Sequence, residues 1–112
     1  MRDDLPELFD RIRALVENEP RGTSNRLLEQ MEHTLTDGYA HALALEGQTI
    51  RIERQIGATF KRLKRGDEPE EIGRLTDRLA ATERELLRLR TLLDELRRRV
   101  DGVRSASPAA RG

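Results

Sequence analysis

The sequence predicts an all-α fold: an antiparallel two-helix coiled-coil hairpin, preceded by a short amphipathic helix and assembling into a helical bundle. Three observations lead there. Two long apolar repeats advance at alternating steps of three and four residues, a Gly- and Pro-containing turn separates them, and charge dominates the composition. A seven-residue apolar repeat keeps one line of a helix facing a neighbour, which is the pattern of a left-handed coiled coil.

The strongest repeat spans residues 72–103. It reads Ile72, Leu75, Leu79, Thr82, Leu86, Leu89, Leu93, Leu96, Val100 and Val103, all aliphatic except Thr82. An earlier and weaker seam reads Leu28, Met31, Leu35, Gly38, Ala42, Leu45, Thr49, Ile52, Ile56, Thr59 and Leu63. Gly38, Gly47 and Gly57 each cost about 1 kcal/mol against alanine in a helix interior. The unbroken register favours one continuous helix through Thr36, Asp37 and Gly38 all the same.

Between the seams lies the turn at 66–69. Gly66 suits the left-handed position after a helix end, Asp67 can cap the next helix, and Pro69 and Glu70 belong in its first turn. Proline near a helix start is harmless, whereas in an interior it costs about 3 kcal/mol, so one continuous rod is disfavoured. A turn this short sets the two helices antiparallel. Thr49 then faces Thr82 and Leu45 faces Leu86, a register that avoids pairing Arg62 with Arg78.

Residues 1–22 form a separate amphipathic helix and hinge. Asp4 is the expected cap, with Pro6 in the first turn, and Leu5, Leu8, Phe9, Ile12, Leu15 and Val16 share one face. Isolated helices shorter than about 12–15 residues are marginal in water, so this one must dock on something. The hairpin occupies 23–104, and Ser, Pro, Ala and Gly in 105–112 predict a disordered tail.

Composition narrows the function. Of 112 residues 36% are hydrophobic, 38% charged and 3% aromatic, too little apolar material for one broad enzyme-like core. With 21 basic and 21 acidic residues the net charge is zero, so no global field favours nucleic acid or an anionic membrane. There is no cysteine and no membrane-length apolar run, and a cytoplasmic protein is expected. No nucleophile with a placed histidine and acid, glycine-rich phosphate loop or dinucleotide fingerprint occurs. No catalytic site, cofactor, metal or small-molecule substrate is therefore expected. Glu29, His33, Asp37 and His41 do repeat at four-residue steps, but one helix presents at most two such ligands to an ion, and a solvated face is the expectation.

A second apolar strip is more telling. With seam positions named a and d, Tyr39 and Phe60 fall at e, and Leu43, Ile50, Ala80 and Leu87 at b. Apolar b positions ask for a further helix. The expected partner-binding residues are Tyr39, Leu43, Glu46, Ile50, Phe60, Glu83 and Leu87, together with Leu8, Phe9 and Ile12 of the first helix. The expected occupant is a second copy, giving a homodimer, or a different protein.

Small bacterial anti-sigma factors that bind cyclic-di-GMP are also antiparallel helical hairpins, with Glu-x3-Ser-x2-Arg-x3-Gln-x3-Asp on their helices. The nearest spacings here are Ala44, Gln48, Arg51, Gln55, Thr59 and Glu83, Leu87, Arg90, Asp94, Arg98, which keep Arg51 with Gln55 and Glu83 with Arg90. The likeness is one of shape, and no nucleotide is assigned from it. The leading expectation is a non-enzymatic protein–protein interaction module, a self-associating adaptor or regulator. The alternatives are a purely structural oligomeric scaffold, or a nucleic-acid- or nucleotide-binding regulatory hairpin using the arginine clusters.

Overall fold

The computed structural model describes residues 4–17, 25–63 and 69–106, which form three α-helices with no strand among them. They are α1 (Asp4–Glu17), α2 (Asn25–Leu63) and α3 (Glu70–Ala106). The hinge at 18–22, most of the turn at 66–69 and the tail beyond Ala106 lie outside the described residues. Pro69 precedes α3 in a turn conformation, where its missing N–H costs no helical hydrogen bond. α3 continues through Ser105 and Ala106, two residues assigned to the tail on composition.

The periodicity explains each helix. Every buried residue of α3 belongs to its seam: Leu75, Leu86, Leu89, Leu93, Leu96, Val100 and Val103. α2 is unbroken through Gly38, although its seam holds glycine, alanine and threonine. The seam threonines are tolerated because their hydroxyls bond the preceding turn. Thr49 donates to the Glu46 carbonyl at 2.7 Å, Thr59 to the Gln55 carbonyl at 2.8 Å and Thr82 to the Arg78 carbonyl at 2.9 Å. Lys61 and Arg62 close α2 while Glu70 and Glu71 open α3, each sign matched to the dipole of its helix end.

The chain divides into two compact units. One joins Met1–His41 with Leu89–Gly112, and the other is Ala42–Arg88. In the first, α1 supplies much of the core. Leu8 and Ile12 are fully buried, and Phe9 and Val16 nearly so, with Met31, Leu89, Leu93, Leu96, Val100 and Val103. Gly38 is packed so closely that a Cβ built there would overlap Leu93 Cδ2 and lie 3.2 Å from its Cγ. Any side chain at 38 would force buried Leu93 to shift within a close-packed core.

α1 lies over one flank of this unit. Its Arg11 guanidinium donates to Asp37 Oδ2 at 3.2 Å, and Asp37 occupies a c position of α2. Thr34, at g on the same flank, is buried, and Leu27 and Leu92, also at g, are half-buried. This corrects one expectation. Leu8, Phe9 and Ile12, read as partner-binding residues, are core residues within their own chain. An apolar helix face states that something must cover it, and here the chain itself does so.

The unit Ala42–Arg88 is built from two helical segments. Its buried residues are Ala42, Leu45, Ile52, Thr59, Leu75 and Leu86, all from the two seams. Arg62 Nη2 donates to both carboxylate oxygens of Glu71 at 3.2 Å and to Thr59 Oγ1 at 3.2 Å, so one cation serves both helices and a buried hydroxyl. Among the described residues no helix is long and apolar enough to cross a membrane. The helix–helix contacts in each unit are those of a helical bundle.

Candidate interaction surface

Beside its seam, α2 carries a second line with the same three-four spacing: Leu43, Glu46, Ile50, Glu53, Gly57 and Phe60. All lie in the unit Ala42–Arg88. Helical periodicity puts them on one stripe, because alternating steps of three and four keep pace with 3.6 residues per turn. The apolar members are held out of the core. Leu43 is 70% exposed, Ile50 48% and Phe60 52%. In α3 the corresponding line runs Gly73, Thr76, Ala80, Glu83 and Leu87, and Leu87 is 67% exposed while Ala80 is half-buried. Tyr39, in the other unit, is 43% exposed.

Large apolar side chains scattered singly over a surface need no explanation, whereas an ordered line of them makes this flank the candidate docking surface. The carboxylates on the line sharpen its character. Glu53 and Glu83 are exposed. Within its own helix Glu53 has Thr49, Ile50, Ile56 and Gly57 at the neighbouring i±3 and i±4 positions. Glu83 has Leu79, Ala80, Leu86 and Leu87. Neither can find a cation on the helix surface that carries it. Among the described residues no ion pair involves either one.

Sequence reasoning named the apolar members of this line and Glu46 and Glu83 as partner-binding residues, but it left Glu53 out of that set. The signal was present, since Glu53 falls at e, one heptad beyond Glu46. It also passed over Leu27, Thr34 and Leu92 at g, the apolar or small residues that show which flank α1 covers. Glu32 forms its ion pair with Arg104, near the end of α3.

The histidine and carboxylate stripe on α2 has a different use. Asp37 is engaged by Arg11 at 3.2 Å and by His33 Nε2 at 3.6 Å. His41 lines a shallow cleft with Glu7, Arg11, Asp37 and Ala40, where α1 meets α2. Among the described residues no three groups that ligate metals come together. The stripe therefore helps to seat α1.

Comparison of the chain with protein-family models, with curated proteins and with solved structures finds no match.

Proposed function

We propose that the protein is a non-enzymatic interaction module, an antiparallel helical hairpin of coiled-coil type that binds a protein partner through the exposed line of the unit Ala42–Arg88. The single observation that carries this reading is the exposure of Leu43, Ile50, Phe60 and Leu87, four large apolar side chains at regular heptad positions. A two-stranded coiled coil keeps b positions polar, and a protein gains nothing in folding from leucines left in water.

The antiparallel arrangement is supported within each unit by its side-chain pairs. Antiparallel coiled-coil helices set a against d, and their two flanks run e against e and g against g. Gly38 at d meets Leu93 at a. Glu32 and Arg104 are both e positions, and Arg62 and Glu71 are both g. Gly38 with Leu93 also fits the register in which Thr49 faces Thr82. In this arrangement the b and e positions of both helices share one side, so Leu87 joins Leu43 and Ile50 in a single strip, with Glu53 and Glu83 along it.

The test is co-purification at native expression. Wild-type protein is compared with Leu43→Asp and Leu87→Asp, and circular dichroism is recorded on the same variants. Loss of a partner with helicity retained supports the module. A partner retained by both variants removes the strip from the interface. These substitutions leave both seams untouched, so folding and binding are expected to separate.

A further inference from the structure

The identity of the occupant can be taken further, resting on the reading of the strip as a binding face. We infer that it takes a basic amphipathic helix from another protein, with apolar residues along its seam and lysine or arginine beside them. Two observations carry this.

The first is how the chain covers its opposite flank. In the unit Met1–His41 with Leu89–Gly112, α1 docks as an amphipathic helix. It buries Leu8, Ile12 and Val16 at four-residue steps, while Arg11 from its edge holds Asp37. The same fold therefore already displays the mode of recognition: an apolar face laid beside the seam, with a cation closing on a carboxylate at the margin. The strip on the b and e flank has the matching requirements, large apolar side chains in line and carboxylates beside them.

The second is charge. The described b and e positions of the unit Ala42–Arg88 hold Glu46, Glu53 and Glu83 and no lysine or arginine; Lys64, the next b position, lies outside the described residues, and Arg90, the next e position, belongs to the other unit. Three carboxylates elsewhere on the flanks, Glu32, Asp37 and Glu71, are each matched by arginine from another helix. Glu53 and Glu83 have no such match and only apolar or neutral neighbours on their own helices. A partner helix bearing cations at its edges supplies it, and charges flanking an apolar seam set partner choice. A second copy would bring the same three carboxylates into the interface again, which disfavours it as the occupant.

The test uses the full chain and a fluorescein-labelled helical peptide of about three heptads, with leucine at a and d and lysine at e and g. A control peptide carries glutamate in place of every lysine. Anisotropy titrations should show binding of the basic peptide only, weakening several-fold between about 50 mM and about 500 mM salt as screening shortens. Glu53→Lys with Glu83→Lys should weaken it by about tenfold or more. Glu85→Lys, on the opposite flank, should leave it unchanged, and Leu87→Asp should abolish it with helicity intact. Three results overturn the proposal. In one, the acidic peptide binds as well as the basic one. In the second, Glu85→Lys weakens binding as much as the strip variants do. In the third, light scattering gives a dimer that Leu87→Asp dissociates, which makes the occupant a second copy. In the first and third, loss of binding or of mass in Leu87→Asp still leaves the strip an interface. Indifference of every species to Leu43→Asp and Leu87→Asp would sink the binding face itself.

Discussion

Gly38 and Gly57 are both helix-interior glycines of α2, and they answer to opposite forces. At Gly38 a methyl group would overlap buried Leu93, whereas at Gly57 and Gly73 a Cβ meets nothing within 4 Å. Replacing glycine by alanine gains about 1 kcal/mol of helix propensity where there is room. Overpacking a filled core costs typically ~1–3 kcal/mol, which exceeds that gain. Gly57→Ala and Gly73→Ala are expected to stabilise by about 0.5–1 kcal/mol each, and Gly38→Ala to destabilise by about 1–2 kcal/mol net. Urea unfolding followed by circular dichroism measures all three, and a stabilising Gly38→Ala would contradict the close contact with Leu93. Thr59 tests the seam in a different way. Its hydroxyl bonds a carbonyl of its own helix and Arg62, so Thr59→Val keeps the shape and is expected within about 1 kcal/mol of wild type. A charged Thr59→Asp at this 1% exposed position is expected to cost more than about 3 kcal/mol.

At the scale of the helix, α1 is the element whose role the structure reassigns. Its amphipathic face was legible from Leu8, Phe9, Ile12 and Val16, because apolar spacing needs only the chain's own order. The flank it covers was not legible from the same residues, since a covering helix and a partner-seeking helix look alike in isolation. The information lay in α2 and α3, where Leu27, Thr34 and Leu92 keep the g flank apolar or small. The α3 seam was legible residue by residue, since a strict seven-residue repeat leaves one face to bury. The exposed line was equally legible at Leu43, Ile50, Phe60 and Leu87. Ion-pair partners were less so: arginine spans more than a helical turn, so periodicity alone does not single out Arg104 for Glu32. If α1 is core, Leu8→Ala or Ile12→Ala should destabilise by about 2–4 kcal/mol, the range for deleting a fully buried aliphatic side chain. Leu43→Ala, at a 70% exposed position, should change stability by less than about 0.5 kcal/mol. Equal effects at the two sites in thermal unfolding would return α1 to the surface.

For the whole molecule, the two units divide burial unequally. The unit containing α1 holds the fully buried leucines at 8, 89, 93 and 96, whereas Ala42–Arg88 relies on a thinner set that includes alanine and threonine. Opening free energies follow local burial, so amides of residues 42–63 and 70–88 should exchange faster than those of 31–41 and 89–103. Binding on the strip should raise protection in the first group. Hydrogen exchange read by mass spectrometry shows both, and uniform protection in the free protein would contradict the link between thin burial and easy opening. The thinner unit is also the one that exposes Leu43, Ile50, Phe60 and Leu87, so the place least able to stabilise itself carries the surface that a partner helix would complete. That claim is tested most directly in the cell by a photo-crosslinking amino acid placed singly at Leu43, Ile50 or Leu87, with Gln48 and Gln55 on the g flank as controls. The account predicts a discrete heterologous adduct from the three strip positions and none from the controls. Adducts of equal yield from Gln48 and Gln55, or none from the strip, would contradict it.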